Sequence, residues 1–212
     1  FISSDLSGTY QSACLAASDV EDETGKKLYM VDSRSASIGT ALLIREAVKL
    51  RDAGVNVSDI AAACTEMSKY IKLTAVVGSL KYLKMGGRLS GAAAFAGTML
   101  HITPVVSIED GKVVVIGKTR GKKAAEKLMH DKLTKDGLSL TRDFMFGHIN
   151  CSESLETFIN KSLTYISDVN GNVGVSSIGC SVGTHVGPGT YGIAYVEAAE
   201  SGMNRESIVK TA

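Results

Sequence analysis

The sequence has no tryptophan, five phenylalanines and only two prolines in 212 residues. With so little proline, its 22 glycines point to close backbone approaches and glycine loops, not to linkers. Charge of one sign is lacking too. Lys+Arg number 23 against 22 Asp+Glu, a net charge of +1, so no broad basic field exists and non-specific nucleic-acid binding is excluded as the main role. The four cysteines, Cys14, Cys64, Cys151 and Cys180, form no CxxC pair and have no zinc spacing. They read as reduced, partly buried thiols, and the expectation is a cytoplasmic protein. His101, His130, His148 and His185 are scattered, without HxH or HExxH, so no metal site is expected. No run approaches the roughly 20 apolar residues of a membrane span.

What remains is an ordinary globular composition, 44% hydrophobic and 21% charged, long enough for one or two domains. The chain opens at Phe1 in a stretch that reads as a strand end running into a loop. A piece of a longer protein is expected.

Tyr10, Ala13, Cys14 and Ala17 fall on one helical face. Leu28–Asp32 reads as a short buried strand. Ser37 can cap a helix that carries Ala41, Ile44 and Val48 and ends near Gly54. Ile60, Cys64, Met67 and Ile71 mark another helix, and Thr74–Gly78 is again strand-like. Apolar strands alternating with helices imply a parallel sheet with helices packed on it.

Beyond residues 72–80 the pattern changes. Leu80–Met85 is a helical turn, GGRLSG a glycine break and Ala92–Leu100 a small-residue helix. Asp110-Gly111 between Val105–Glu109 and Lys112–Lys118 is a hairpin signal, because both turn positions need positive φ. Lys122–Lys135 is a charged amphipathic helix, Phe144–Ile149 a strand, and Leu155, Phe158, Ile159 and Leu163 a further helix. Asn172 to Val196 alternates β-rich runs with glycines. The expected fold class is α/β, with two α/β domains. Residues 1–75 would be the remainder of an N-terminal parallel-sheet domain, incomplete here. Residues 76–200 would form a C-terminal α+β domain with a mixed or antiparallel sheet, and 201–212 a tail.

Three stretches could carry chemistry. Ser3 to Tyr10 puts Ser4, Ser7, Gly8 and Thr9 between a strand end and a helix start, where hydroxyls and free N–H groups suit an anion such as a carboxylate or phosphate. By spacing alone an N-cap is the commoner role for Ser4 or Ser7, and the two roles are compatible. His185 lies in the glycine-dense run GTHVGPG. Gly187, Gly189 and Gly192 match G-x-G-x-x-G, but a β-type run follows and Pro188 interrupts, so no dinucleotide site is expected. A structural histidine and a ligand-bonding one are both open for His185. Arg88 follows Gly86-Gly87, and Arg120 precedes a helix start. Both suit an anion in a cleft, or simply a solvated basic turn, which is the expectation for Lys122 and Lys123. His130 is expected to be exposed and His148 to sit at a core edge.

Taken together, ISSDLSGTYQSA (2–13), VDSRSASIG (31–39), LKYLKMGGRLSG (80–91), TPVVSIEDGKV (103–113) with KTRGKKA (118–124), and VGTHVGPGTYGI (182–193) resemble the DegV family. They stand in that family's order and span nearly the whole chain. The resemblance implies a bacterial protein that binds a long-chain fatty acid such as palmitate in a tunnel between two domains. It would have no cofactor and no catalysis of its own, and would present the carboxylate to a separate fatty acid kinase subunit. It implies Ser7 as the main carboxylate ligand, with Ser4, Gly8 and Thr9 beside it, His185 in the same network, and Arg88 and Arg120 near the mouth for kinase docking or phosphate handling. Two departures stand out. The family's preceding strand–helix portion, with its Thr-Ser-x-Pro-type loop, is absent, and Thr103 precedes Pro104 where many members have Lys.

Seven methionines and few aromatics suit an adaptable lining, for which Ala92–Leu100 and Ile102 are candidates, although a small-residue helix is as readily packed core. A monomer is expected. Two other functions compete. One is a serine hydrolase or acyltransferase using Ser7 or Ser4 with His185 as base, without a G-x-S-x-G elbow and with the third member open between Asp5 and Asp32. The other is a phosphometabolite-binding module built on the serine–glycine helix start and the two arginines.

Overall fold

The computed structural model describes residues 1–89, 102–139, 142–166 and 171–198. Seven helices and six strands follow one another along these residues. They are α1 (Thr9–Thr24), α2 (Ile38–Asp52), α3 (Val57–Met67), β1 (Ile71–Val76), α4 (Leu80–Met85), β2 (Thr103–Glu109), β3 (Lys112–Thr119), α5 (Lys122–Asp136), β4 (Phe144–His148), α6 (Ser152–Leu163), β5 (Val173–Ser177), α7 (Cys180–Val186) and β6 (Tyr191–Val196).

The strands form one sheet in the order β3-β2-β1-β6-β4-β5. All neighbours run antiparallel except β4 and β5, which are parallel. Period-two alternation sorts the side chains to two faces. Leu73, Ala75, Val106, Ile108, Met145, Ala194 and Val196 pack with Leu42 and Leu43 of α2 and Cys64 and Met67 of α3. Val76, Val105, Phe144, Phe146, Tyr191, Ile193 and Tyr195 pack with Ala125, Met129 and Leu133 of α5 and Leu155 and Phe158 of α6. A sheet apolar on both faces must be covered on both, and here helices lie on each side. The α/β class therefore holds, as one mixed sheet.

The β2–β3 hairpin turns where expected. Asp110 (φ 47°) and Gly111 (φ 79°) both take the left-handed conformation that a two-residue turn needs. Several other expectations are corrected. Leu28–Asp32 is not a strand. Its ladder is confined to Val31 O, which accepts from the Phe1 amino group, and Ser33 N, which donates to Phe1 O. Among the described residues no strand precedes Ile71, and β1 joins the mixed sheet between β2 and β6. Helix α3 stops at Met67, where a turn through Tyr70 N to Met67 O frees Ile71 to open β1.

On α2 the buried side is Leu42, Leu43, Glu46 and Leu50, while Ile44 and Val48 are exposed. Both apolar sets fit helical spacing, and only packing on the sheet chooses between them. The run around His185 is not all loop, because Cys180–Val186 is helical. His130 is only 4% exposed, since its ring lies between Phe158 and Tyr165. The expected helix Ala92–Leu100 lies outside the described residues. No described helix is long and apolar enough to cross a membrane.

Candidate ligand cavity

A cavity of about 230 Å³ opens over the sheet face that carries Leu73 and Ala75. Its floor is Leu73, Ala75, Val77, Val106, Ile108, Val113 and Gly192. Ile2 and Leu6 from the opening loop, Ile38 at the head of α2, and Ile178, Val182 and Val186 around α7 form its walls. Small residues keep the floor low. Gly192 is paired with Ala75 on one side and Gly147 on the other. A Cβ on Gly192 would fall 2.3 Å from the Thr74 carbonyl, and one on Gly147 would fall 2.7 Å from Ile38 Cγ2. Among the described residues the polar lining is Ser7, Thr9, Ser37, Arg88, Ser181, His185 and Thr190.

The opening loop is folded back on itself. The Ser3 carbonyl accepts from Leu6 N (3.0 Å) and Ser7 N (3.1 Å). The buried Ser3 hydroxyl accepts from Asp5 N at 3.2 Å and donates to Gly111 O at 2.8 Å, which docks the loop on the hairpin turn. Ser4 Oγ donates to Asp32 Oδ2 at 2.6 Å and does not line the cavity. Ser7 Oγ lies 2.7 Å from Thr9 Oγ1 and accepts from Thr9 N at 3.3 Å. The N-cap of α1 is Gly8, without a side-chain bond, so neither serine occupies that position. Ser7 and Thr9 thus stand at the wall with their hydroxyls paired to each other.

His185 comes to the same cavity from the last turn of α7. The backbone of Gly86 presses against its ring, so closely that a Cβ there would fall 2.1 Å from Nδ1. Arg88 follows, with Nε donating to Leu6 O (3.1 Å) and Nη1 to Gly86 O (2.6 Å). The structure therefore brings Ser7, Thr9, Arg88 and His185 to one cavity. It leaves Ser4 beside Asp32, Gly8 exposed outside the lining, and Arg120 exposed beyond the end of β3, also outside it.

Sequence reasoning missed Ser37, Ser181 and Thr190. Ser37 leads into α2 with φ 47° and ψ −115°, a strained conformation for a residue with a Cβ, and it makes no side-chain cap bond. Ser181 stands four residues before His185 on α7, a spacing that would have linked them had that stretch been read as helix.

Chemically, the arrangement is an apolar cavity with hydroxyl and imidazole groups in its lining. Ser7 is bonded to Thr9, and no hydrogen bond joins it to His185. Among the described residues no group of three or more His, Cys, Asp or Glu could hold a metal ion.

The family model of the DegV proteins matches residues 1–198. A DegV domain-containing protein of Clostridium acetobutylicum is 35% identical over 205 residues, covering 92% of this chain and 68% of the relative. The chain thus spans about two thirds of that relative's length. Among solved structures, a Thermus thermophilus protein described by its fatty acid binding superposes with a TM-score of 0.80 at 29% identity, over 92% of this chain and 69% of its own. The fatty acid kinase B3 protein of Streptococcus pneumoniae, solved with linoleic acid, superposes with a TM-score of 0.81 over 92% of this chain and 69% of its own. At 23% identity that likeness is one of fold.

Proposed function

The chain belongs to the DegV family, and on that footing we propose that it is a carrier of a long-chain fatty acid such as palmitate. The observation that carries this reading is the mixed lining of one cavity, largely apolar with a few hydrogen-bonding groups. Strand and helix side chains supply an apolar floor, and the hydroxyls of Ser7 and Thr9 and the imidazole of His185 supply polar groups to the same cavity. An acyl tail gains about 0.8 kcal/mol per buried methylene. Its carboxylate is costly to bury unless donors meet it, and hydroxyl and imidazole N–H groups are such donors.

In this reading Ser7 is the main carboxylate ligand, with Thr9 and His185 beside it. Gly8 stands between the two hydroxyls as the N-cap of α1. Ser4 acts at one remove, holding the loop to Asp32. No nucleophile is required, and the protein works as a carrier whose carboxylate is offered to a fatty acid kinase. Arg120, exposed beyond β3, is free for that partner. Native mass spectrometry of the protein purified from cells tests the reading. An added mass of one acyl chain is expected, and its absence even after incubation with palmitate would remove the proposal.

A further inference from the structure

We propose that Arg88 is a positioning residue, a latch that holds the two polar walls of the cavity in register through its fork of donors and not through its charge. This rests on the fatty-acid reading above for its consequence, but its geometry stands independently.

Helix α4 ends in a way that fixes where Arg88 goes. Gly87 takes φ +69°, its N–H reaches Lys84 O at 3.1 Å, and Arg88 N reaches back to Leu83 O at 3.0 Å. This paired closure with a left-handed glycine is a Schellman ending, which turns the chain back over the helix. The Arg88 side chain then spans two backbone carbonyls that are far apart in sequence. Nε donates to Leu6 O, the residue before Ser7, and Nη1 donates to Gly86 O, the residue packed on the His185 ring. One rigid planar group therefore joins the wall that carries Ser7 to the turn that backs His185.

No carboxylate of the described residues lies within ion-pair distance of Arg88. Its observed partners are neutral carbonyls. A bidentate fork suits two such acceptors, and a lysine ammonium at the end of a flexible stem does not reproduce it.

The test compares wild type, Arg88→Lys and Arg88→Ala in two measurements. One is amide hydrogen exchange of residues 5–9 and 84–88 in ligand-free protein. The other is the release rate of preloaded radiolabelled palmitate. The latch predicts that both variants exchange faster at these two segments, with the rest of the sheet unchanged. It also predicts that both release palmitate about ten-fold faster, so that lysine does not rescue. Wild-type retention in Arg88→Lys together with a loss in Arg88→Ala would show that charge is what matters and would overturn the latch. Unchanged exchange in both variants would overturn it as well. If wild type itself retains no palmitate, the fatty-acid reading fails, and the exchange measurement alone decides the latch, faster exchange upholding it and unchanged exchange overturning it.

Discussion

The hydroxyl of Ser3 donates to the carbonyl of Gly111 at 2.8 Å, so a loop at the start of the chain and a hairpin turn 108 residues later form one unit. Ser3 is 1% exposed, and its hydroxyl also receives Asp5 N. Truncation to Ser3→Ala leaves a carbonyl and an N–H without that partner. The expected loss is about 1–3 kcal/mol of stability. Gly111→Ala is expected to cost more, because its φ of +79° disfavours any Cβ and that Cβ would lie 2.6 Å from Ser3 Oγ. Urea unfolding of both variants measures this. A Ser3→Ala midpoint equal to wild type would show that the contact carries no stability.

Ser7→Ala is expected to separate binding from folding. The Ser7 hydroxyl is engaged only with Thr9, on the solvent side of the core, and it caps no helix. Its removal should weaken palmitate binding by about 1–3 kcal/mol, as for a lost hydrogen bond to a charged group, with the urea midpoint nearly unchanged. Titration calorimetry against unfolding curves checks both halves. Equal losses in binding and stability would make Ser7 a structural residue.

The parts of this fold that could be read in advance are those where local chemistry has one solution. Asp110-Gly111 accepts two left-handed positions, and that fixes the β2–β3 hairpin. Helix α4 is bounded by Ser79, whose side chain accepts from Lys81 N, and by Gly87. What stayed hidden was decided by tertiary packing. Helix α7 is seven residues long with Gly183 in its middle, a weak helix by propensity that rests against α4. Ile44 and Val48 fit a helical face as well as Leu43 and Leu50 do, and only the sheet selects. In the site, the serine loop and His185 were legible as separate motifs. That Arg88, although exposed, would bond backbone carbonyls was not, because a side-chain partner 82 residues away leaves no trace in spacing.

Glu46 and Arg142 form a hydrogen-bonded ion pair between α2 and the segment before β4, and both are buried. Lys49 stands farther from Glu46, at 3.9 Å. Removing one member leaves a charge in a poorly solvated place, so Arg142→Met or Glu46→Leu alone should each cost about 3–5 kcal/mol. The double variant should recover much of that, because two apolar groups need no desolvation offset. Because α2 begins at the cavity wall, each single variant should also loosen Ile38. Urea unfolding of the four proteins gives the coupling. A double variant no better than the worse single one would show that the pair does not act as a unit.

His130 gives the pH dependence its sign. Its ring stacks between Phe158 (5.2 Å) and Tyr165 (4.2 Å), and Nε2 lies 2.9 Å from Ser162 Oγ. Ser162 Oγ donates to the Phe158 carbonyl, so Nε2 carries the proton that Ser162 accepts. Burial disfavours the imidazolium and holds the pKa below its ordinary value, against the opposing pull of the nearby Glu126 carboxylate. The unfolded chain takes up a proton near pH 6.5, whereas the folded ring resists until lower pH. Between those two values the unfolded state binds more protons, so the His130 contribution to stability falls as the solution is acidified from about pH 6.5 and is flat above neutrality. His130→Gln keeps a donor for Ser162 but cannot titrate. Its urea midpoint should therefore change less than that of wild type between pH 7.5 and pH 5. Equal pH slopes in the two proteins would place the acid sensitivity of this range elsewhere than His130, and Asp143 titrates below it. Burial pushes the Asp143 carboxyl up, but Lys49, the Asn172 N–H and Arg45 outweigh that and hold it below the usual range, so its contribution is lost only at more acid pH.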